Sequence, residues 1–290
     1  VLPKPDPLLP EEMQVSRFDA ICGWVAKWFN VLPLDLAVTQ LKTGGLPERA
    51  ASITFDDGYA DNYHVALPVL QRHDLTATFF VATGFLDGGR MWNDSIAETI
   101  RRCLAPALDL STIGLGCHNL TSIEDRRAAI AVLIDNIKYL PGEQRVIATE
   151  KMAHLAQVQL PCGLMMTSNE VKAMRKAGMQ IGAHTMSHPI LAQLTDEHAR
   201  KEIQGSRNVL ETLLGERVGL FAYPNGKRGE DYTARSVALV RNLGFDAAVS
   251  TEWGASDMKS DPFQLRRFTP WDLSRLRFGA RMLSNLRNVK

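Results

Sequence analysis

Cysteine is scarce and scattered. Cys22, Cys103, Cys117 and Cys162 form no CxxC pair and no dense framework, so a disulfide-stapled scaffold is excluded and four unpaired thiols are expected. Excess charge is missing too. Thirty-three Lys and Arg stand against 32 Asp and Glu, a formal net charge of +1 at pH 7, which leaves no electrostatic footprint for nucleic acid. The expected partner is a small molecule or a neutral polymer. No apolar run approaches the roughly 18 residues that a membrane span needs, and there are no internal repeats or low-complexity tracts. The thiols favour a reducing, cytoplasmic compartment, whereas a chain that starts at Val1 rather than Met leaves a periplasmic or membrane-peripheral location open.

What is present is a globular composition, with 45% hydrophobic and 22% charged residues over 290 positions. The opening VLPKPDPLLPEE is proline-rich and reads as extended chain. Ser16 then precedes a helical pattern running through Phe18, Ile21, Cys22, Val25, Trp28 and Phe29, with Asp19 placed for a capping box. From residue 51 strands and helices alternate. ASITFDD reads as a buried strand, Ala60 to His73 as a helix and TATFFVAT as a strand. Thr167 and Glu170 cap a helix that Gly178 ends, MQIGAH is a strand, and Thr195 to Leu214 a helix. VGLFAY, the helix Asp231 to Asn242, and strands at Phe245 to Ser250 and QLRRFT follow.

This alternation predicts an α/β fold with a parallel sheet and helices outside. Between about residues 90 and 166 the rhythm breaks. A hairpin in ALDLSTIGLGCHNL and helices at Ile123 to Tyr139 and Gln144 to Gln157 read as a mainly helical insertion, and no linker brackets it. One domain over 1–290 is expected, with residues 1–50 as an N-terminal extension. The acid-free stretch from 272 to 290 is read as a terminal helix packed on the domain rather than lying on an anionic membrane.

In such folds the carboxyl ends of strands carry the site. Asp56 and Asp57 end one strand, His184 another, and Pro224 follows a third. His184 and His188, four apart in GAHTMSHP, can reach one metal ion, and Pro189 requires the intervening turn to be short. Two histidines and a carboxylate are a ligand set for catalytic zinc. TFDDG offers two carboxylates, one to join the histidines and one to move a proton, and a cation makes the adjacent charges tolerable.

TFDDGYADNY, TATFFVATGFL, GMQIGAHTMSH and FAYPNG, in that order, resemble the NodB-homology polysaccharide deacetylases, carbohydrate esterase family 4, in the FAYPxG-type branch associated with exopolysaccharide production. The likeness runs from about residue 51 to 271. It implies a distorted (β/α)7-type barrel, a divalent metal, most often Zn2+, and removal of N-acetyl groups from a GlcNAc-type saccharide. Carried over residue by residue, it makes Asp56 the catalytic base and Asp57, His184 and His188 the metal ligands. Asn225, after Pro224, then offers its amide to the oxyanion, and Tyr223, Pro224 and Trp271 line the substrate site.

Two features depart from that pattern. Ala222 stands where the family carries an arginine that orients the base, and strand alternation in LRRFTPWD favours Arg267 over Arg266 as its substitute. No histidine follows His198 to serve as the general acid; His64 and His118 are the stand-ins considered. Trp92, Asn93 and Asp94, in GRMWNDS, suit a substrate-contacting loop, and packing is an equal reading. An amidase acting on a small non-sugar amide and a catalytically weak carbohydrate-binding relic are the alternatives to a deacetylase.

Overall fold

The computed structural model of the chain describes residues 1–270, 272 and 274–286. The strands, in chain order, are β1 (Asn30–Val31), β2 (Ala50–Ala51), β3 (Thr54–Phe55), β4 (Thr78–Val81), β5 (Ala107–Asp109), β6 (Cys117–Asn119), β7 (Gln180–Ala183), β8 (Leu220–Ala222), β9 (Ala247–Trp253) and β10 (Leu265–Arg267). The helices are α1 (Val15–Trp28), α2 (Leu34–Thr43), α3 (Leu67–Arg72), α4 (Trp92–Arg102), α5 (Ile123–Ile137), α6 (Gly142–Leu155), α7 (Ser168–Lys176), α8 (Asp196–Leu214), α9 (Ala234–Asn242) and α10 (Arg275–Leu286).

Six strands form one parallel sheet in the order β10-β9-β8-β7-β4-β3. Helices cover its outer face, and the sheet curls into a half-barrel, so the expected distorted barrel is realised with six strands in its main sheet. All four residues of β4 are buried, as a parallel strand covered on both faces requires. Phe79 stacks on Phe55 of the neighbouring strand with ring centroids 4.6 Å apart. β3 and β10 end the sheet without pairing to each other. A cavity of about 1090 Å³ opens between them, lined by Phe18, Phe55, Val249 and Leu265 and reaching Asp56 and Asp57.

Several expectations hold. Thr167 and Glu170 form a capping box at the start of α7, the helix read over Thr195 to Leu214 is α8 with Thr195 as its cap, and β5 and β6 form an antiparallel hairpin. Others are corrected. ASITFDD is split: Ala50–Ala51 pairs with Asn30–Val31, and Thr54–Phe55 joins the main sheet. The helix read from Ala60 does start there, but it widens into a π turn over Asn62–Ala66 before α3. Pro68 has no N–H to return to the preceding turn, which widens it. Helix α1 starts at Val15 without a side-chain cap, because Asp19 is held by Arg72 and His73 at 2.8 and 2.9 Å. Helix α9 starts at Ala234, three residues later than read.

In GRMWNDS only residues 89–91 are loop: Trp92 opens α4. Helices α4, α5 and α6 and the hairpin share an apolar cluster of their own, built on Ile96, Ile100, Leu110, Leu133 and Met152, and Leu8 of the N-terminal segment packs into it. Helix α10 lies on the barrel through Phe278, which packs against Trp24 and Trp28. Trp271 and residues 287–290, part of the terminal helix read from sequence, lie outside the described residues.

Candidate active site

After Phe55 the chain turns sharply. Asp57 and Gly58 both take left-handed backbone, with φ of 75° and 89°. Thr185 (64°), His188 (51°) and Asn225 (57°) do the same, so four of the eight non-glycine residues with positive φ among the described residues sit on the three strand-end loops of this site. Such conformations cost on the order of 1 kcal/mol each and persist where the surroundings enforce them. Their effect is to bring together the ends of β3, β7 and β8.

Asp57 Oδ1 lies 3.3 Å from His184 Nε2 and 3.4 Å from His188 Nε2. Asp57 Oδ1 and His184 Nε2 are buried, yet neither makes a hydrogen bond among the described residues. Ligand atoms about 2.0 to 2.1 Å from a tetrahedral ion are separated by about 3.3 Å, so the trio fits a bound metal ion. It is also the one grouping of three His, Cys, Asp or Glu residues at metal-holding distance among the described residues. His184 is fully buried, and its Nδ1 donates to the carbonyl of Ala222, 2.8 Å away, which leaves Nε2 with a lone pair facing the trio. Burial opposes charge on His184, but Asp57 and Asp56 outweigh it and hold its pKa above the usual value. Burial and the neighbouring His184 bring His188 down to about 4, the neutral form that a metal ligand needs.

The two rings meet without a helical turn. The chain from His184 to His188 is a tight loop held from outside: Glu202 of α8 accepts from the amides of Met186 and Ser187 and from Ser187 Oγ, at 2.8 to 2.9 Å. Thr185 Oγ1 accepts from the His188 amide at 3.1 Å. Gly84 lets the loop approach, since a Cβ there would lie 2.7 Å from the carbonyl oxygen of Met186. Sequence reasoning missed Glu202, Thr185 and Gly84, and a carboxylate 18 residues after the first histidine carries no local signal.

Asp56, beside the trio, is gripped by Arg267. Nη1 donates to Oδ1 and Nη2 to Oδ2, both at 2.7 Å, while Nε donates to the Ser250 carbonyl and Nη1 also to Thr54. Burial would raise the Asp56 carboxyl, but Arg267 outweighs it and brings it down to about 2. Arg266, the alternative, has its amide bonded to Ser256.

Asn225 is exposed at the tip of the loop after β8. Its carbonyl accepts from Thr251 Oγ1 at 2.8 Å, and its N–H donates to no protein group among the described residues. Pro224 is buried beneath it, its carbonyl accepting from Gly226. Tyr223 does not line a substrate site as expected: it is fully buried, stacked on Tyr232 at 4.0 Å, and donates its hydroxyl to the Phe263 carbonyl. Strand alternation turns it into the core. Trp92 likewise packs in the insertion, with the Arg145 guanidinium 5.3 Å above its ring. Neither stand-in acid joins the metal-holding group: His64 pairs with Glu170 at 2.7 Å, and His118 on β6 bonds the Leu115 carbonyl.

A parallel half-barrel that presents a held carboxylate beside a carboxylate and two histidines, all at strand carboxyl ends, has the layout of a hydrolytic enzyme. The family model described as polysaccharide deacetylase matches residues 43–130 and 142–248, and the chain belongs to that family. YxkH of Bacillus subtilis (strain 168), whose name places it among the polysaccharide deacetylases, is 21% identical over 254 residues, 87% of this chain and 63% of its own length. A poly-beta-1,6-N-acetyl-D-glucosamine N-deacetylase of Staphylococcus aureus (strain MSSA476) is 25% identical over 171 residues, 58% of this chain and 59% of its own. The chain thus spans about three-fifths of these relatives. The fold is shared with Streptococcus pyogenes deacetylase PplD (TM-score 0.62, 19% identity, 94% of this chain and 87% of that one) and IcaB from Ammonifex degensii (0.57, 16%, 89% and 86%).

Proposed function

We propose that this chain is a metal-dependent hydrolase that removes N-acetyl groups from an N-acetylated, GlcNAc-type saccharide or polysaccharide. The observation that carries the reading is the pairing of Asp57, His184 and His188 with Asp56, which Arg267 keeps ionised and apart from them. The named activity of the Staphylococcus aureus relative supports the substrate class.

Asp57 Oδ1, His184 Nε2 and His188 Nε2 would hold a divalent ion, and this donor set suits zinc. When bound, the ion supplies Lewis acidity toward the acetamide carbonyl and makes a water nucleophilic at neutral pH. Asp56 accepts the proton of the attacking water. The Asn225 N–H, presented by a loop fixed by Pro224 and Thr251, donates to the oxygen on which negative charge develops. The departing amine needs one proton, and the one taken up by Asp56 balances the reaction. A pure carbohydrate-binding role would have no use for a second, arginine-held carboxylate beside the trio.

The test is acetate release from a panel of acetylated oligosaccharides, with zinc added or chelated, comparing the unaltered chain with Asp56→Asn. Zinc-dependent release that Asp56→Asn abolishes is expected. Saccharide binding without acetate release would establish the binding reading, and release from small amides alone would establish the amidase reading.

A further inference from the structure

The insertion meets the loop after Asp57 through Met91 and the start of α4. Met91, which precedes the first turn of α4, packs on Ala82 and Met165, with Tyr59 and Phe85 closing the cluster. Ala82 is itself tied to the trio, because its amide donates to the Asp57 carbonyl at 3.1 Å. Tyr59, two residues beyond Asp57, donates its hydroxyl to Asp94 Oδ1 at 3.2 Å, touches Met91 Sδ, and is reached by the Asn93 side chain. A phenol, an amide and a carboxyl therefore meet beside the trio, and α4 supplies two of the three.

Asp94 is the unusual member. Its Oδ2 is buried, and no protein group among the described residues donates to it. An acid in the first turn of a helix is ordinarily a solvated partner of the helix dipole. Asp94 is instead only partly exposed, with its Oδ2 shut off from solvent, where a carboxylate oxygen without a donor costs about 1 to 3 kcal/mol. Burial, with the like charges of Asp57 and Glu98, pushes its carboxyl up to about 7, so the group can accept and donate near neutral pH. Polyhydroxylated rings are recognised by such groups: a carboxyl oxygen in want of a donor, flanked by an amide and a phenol.

We propose that Asp94, with Tyr59 and Asn93, binds a ring hydroxyl of the saccharide and so fixes the sugar whose acetamide is presented to Asp56. This rests on the deacetylase reading above and adds that the insertion, through α4, determines specificity for a saccharide over a simple acetyl compound.

The experiment measures kcat and KM of the zinc-loaded chain for a GlcNAc tetramer and for an aryl acetate, with Asp94→Ala and Asp94→Asn. Loss of a hydrogen bond to a carboxylate is worth about 10- to 100-fold. The expected result is a rise of that size in KM for the tetramer in Asp94→Ala, with kcat changed less than about threefold and metal content matching the unaltered chain. The loss in kcat/KM should be at least about tenfold greater for the tetramer than for the aryl acetate, and Asp94→Asn, whose amide oxygen still accepts, should recover part of it. A fall in kcat at constant KM, or equal losses on both substrates, would make Asp94 a proton donor or a structural acid and overturn the proposal.

If Asp94→Ala does not fold, tetramers lacking single ring hydroxyls decide. One of them should raise KM for the unaltered chain and raise it by a smaller factor in Asp94→Asn, whose amide oxygen keeps only part of the hydrogen bond; equal factors in both overturn the proposal. An unaltered chain that releases no acetate from any saccharide refutes the deacetylase reading itself, whereas release with unchanged KM in both variants refutes only this one.

Discussion

Arg267 and Asp56 join the two ends of the sheet. One residue closes β10 and the other follows β3, the strands that leave the half-barrel open, and two parallel 2.7 Å bonds span that seam. The pair combines two duties: it orients a carboxylate, and it ties the last strand to the first. Bidentate geometry makes lysine a poor replacement.

Arg267→Ala and Arg267→Lys are therefore expected to lower kcat for acetate release by at least about 100-fold while leaving bound metal in place. The alanine variant should also lose about 3 kcal/mol of stability, because it strands a carboxylate in a poorly solvated site. Steady-state kinetics, elemental analysis and urea denaturation check the three parts. Full activity in Arg267→Ala with loss in Arg266→Ala would reverse the assignment.

Removing a member of the trio should act differently. Asp57→Ala, His184→Ala and His188→Ala are each expected to emerge from dialysis with little zinc, whereas Asp56→Asn should keep it. Elemental analysis separates holding the ion from moving the proton. Retention of zinc by all three alanine variants would defeat the ligand assignment.

Glu202 is not one of the trio, yet it should matter for an ion held there. Its carboxylate secures the Met186 and Ser187 amides between the two histidines. Glu202→Ala should weaken zinc binding by about 10- to 100-fold, as outer supports of metal ligands commonly do. Competition against a chromogenic chelator measures this, and Glu202→Gln, which still accepts hydrogen bonds, should fall between.

Acid should loosen the N-terminal segment before the barrel. Arg101 of α4 grips Asp6 through both carboxylate oxygens, at 2.5 and 3.0 Å, and holds its pKa below the ordinary value. A carboxyl depressed by folding contributes stability above its unfolded pKa, and that contribution is lost as pH falls through the folded value. Proteolytic cleavage near residues 6–12 by an acid protease should rise below about pH 4, and Asp6→Asn should show the susceptible behaviour already at neutral pH.

The motif residues were legible because each stands at the end of an apolar run, where periodicity locates strands and the fold gathers their ends. Once the family resemblance calls for an arginine beside the base, alternation favours Arg267 over Arg266. The same alternation, applied to VGLFAY, should have turned Tyr223 inward, where it lies. Trp92 admits two readings because an aromatic beside two polar residues suits a loop as well as a first helical turn, and only the insertion's core distinguishes them. The loop from His184 to His188 hid its own geometry, since left-handed Thr185 and His188 depend on Glu202 and Gly84, which the sequence places far away.

Helix α8 lends Glu202, and strand β8 lends something less alterable. The partner that selects the His184 tautomer is the carbonyl of Ala222, an atom that every amino acid carries. The determinant is thus stored in the path of the chain rather than in a codon, and point mutation at position 222 can change the side chain without removing the acceptor. One strand thus orients His184 through its backbone, while another holds Asp56 through the Arg267 side chain.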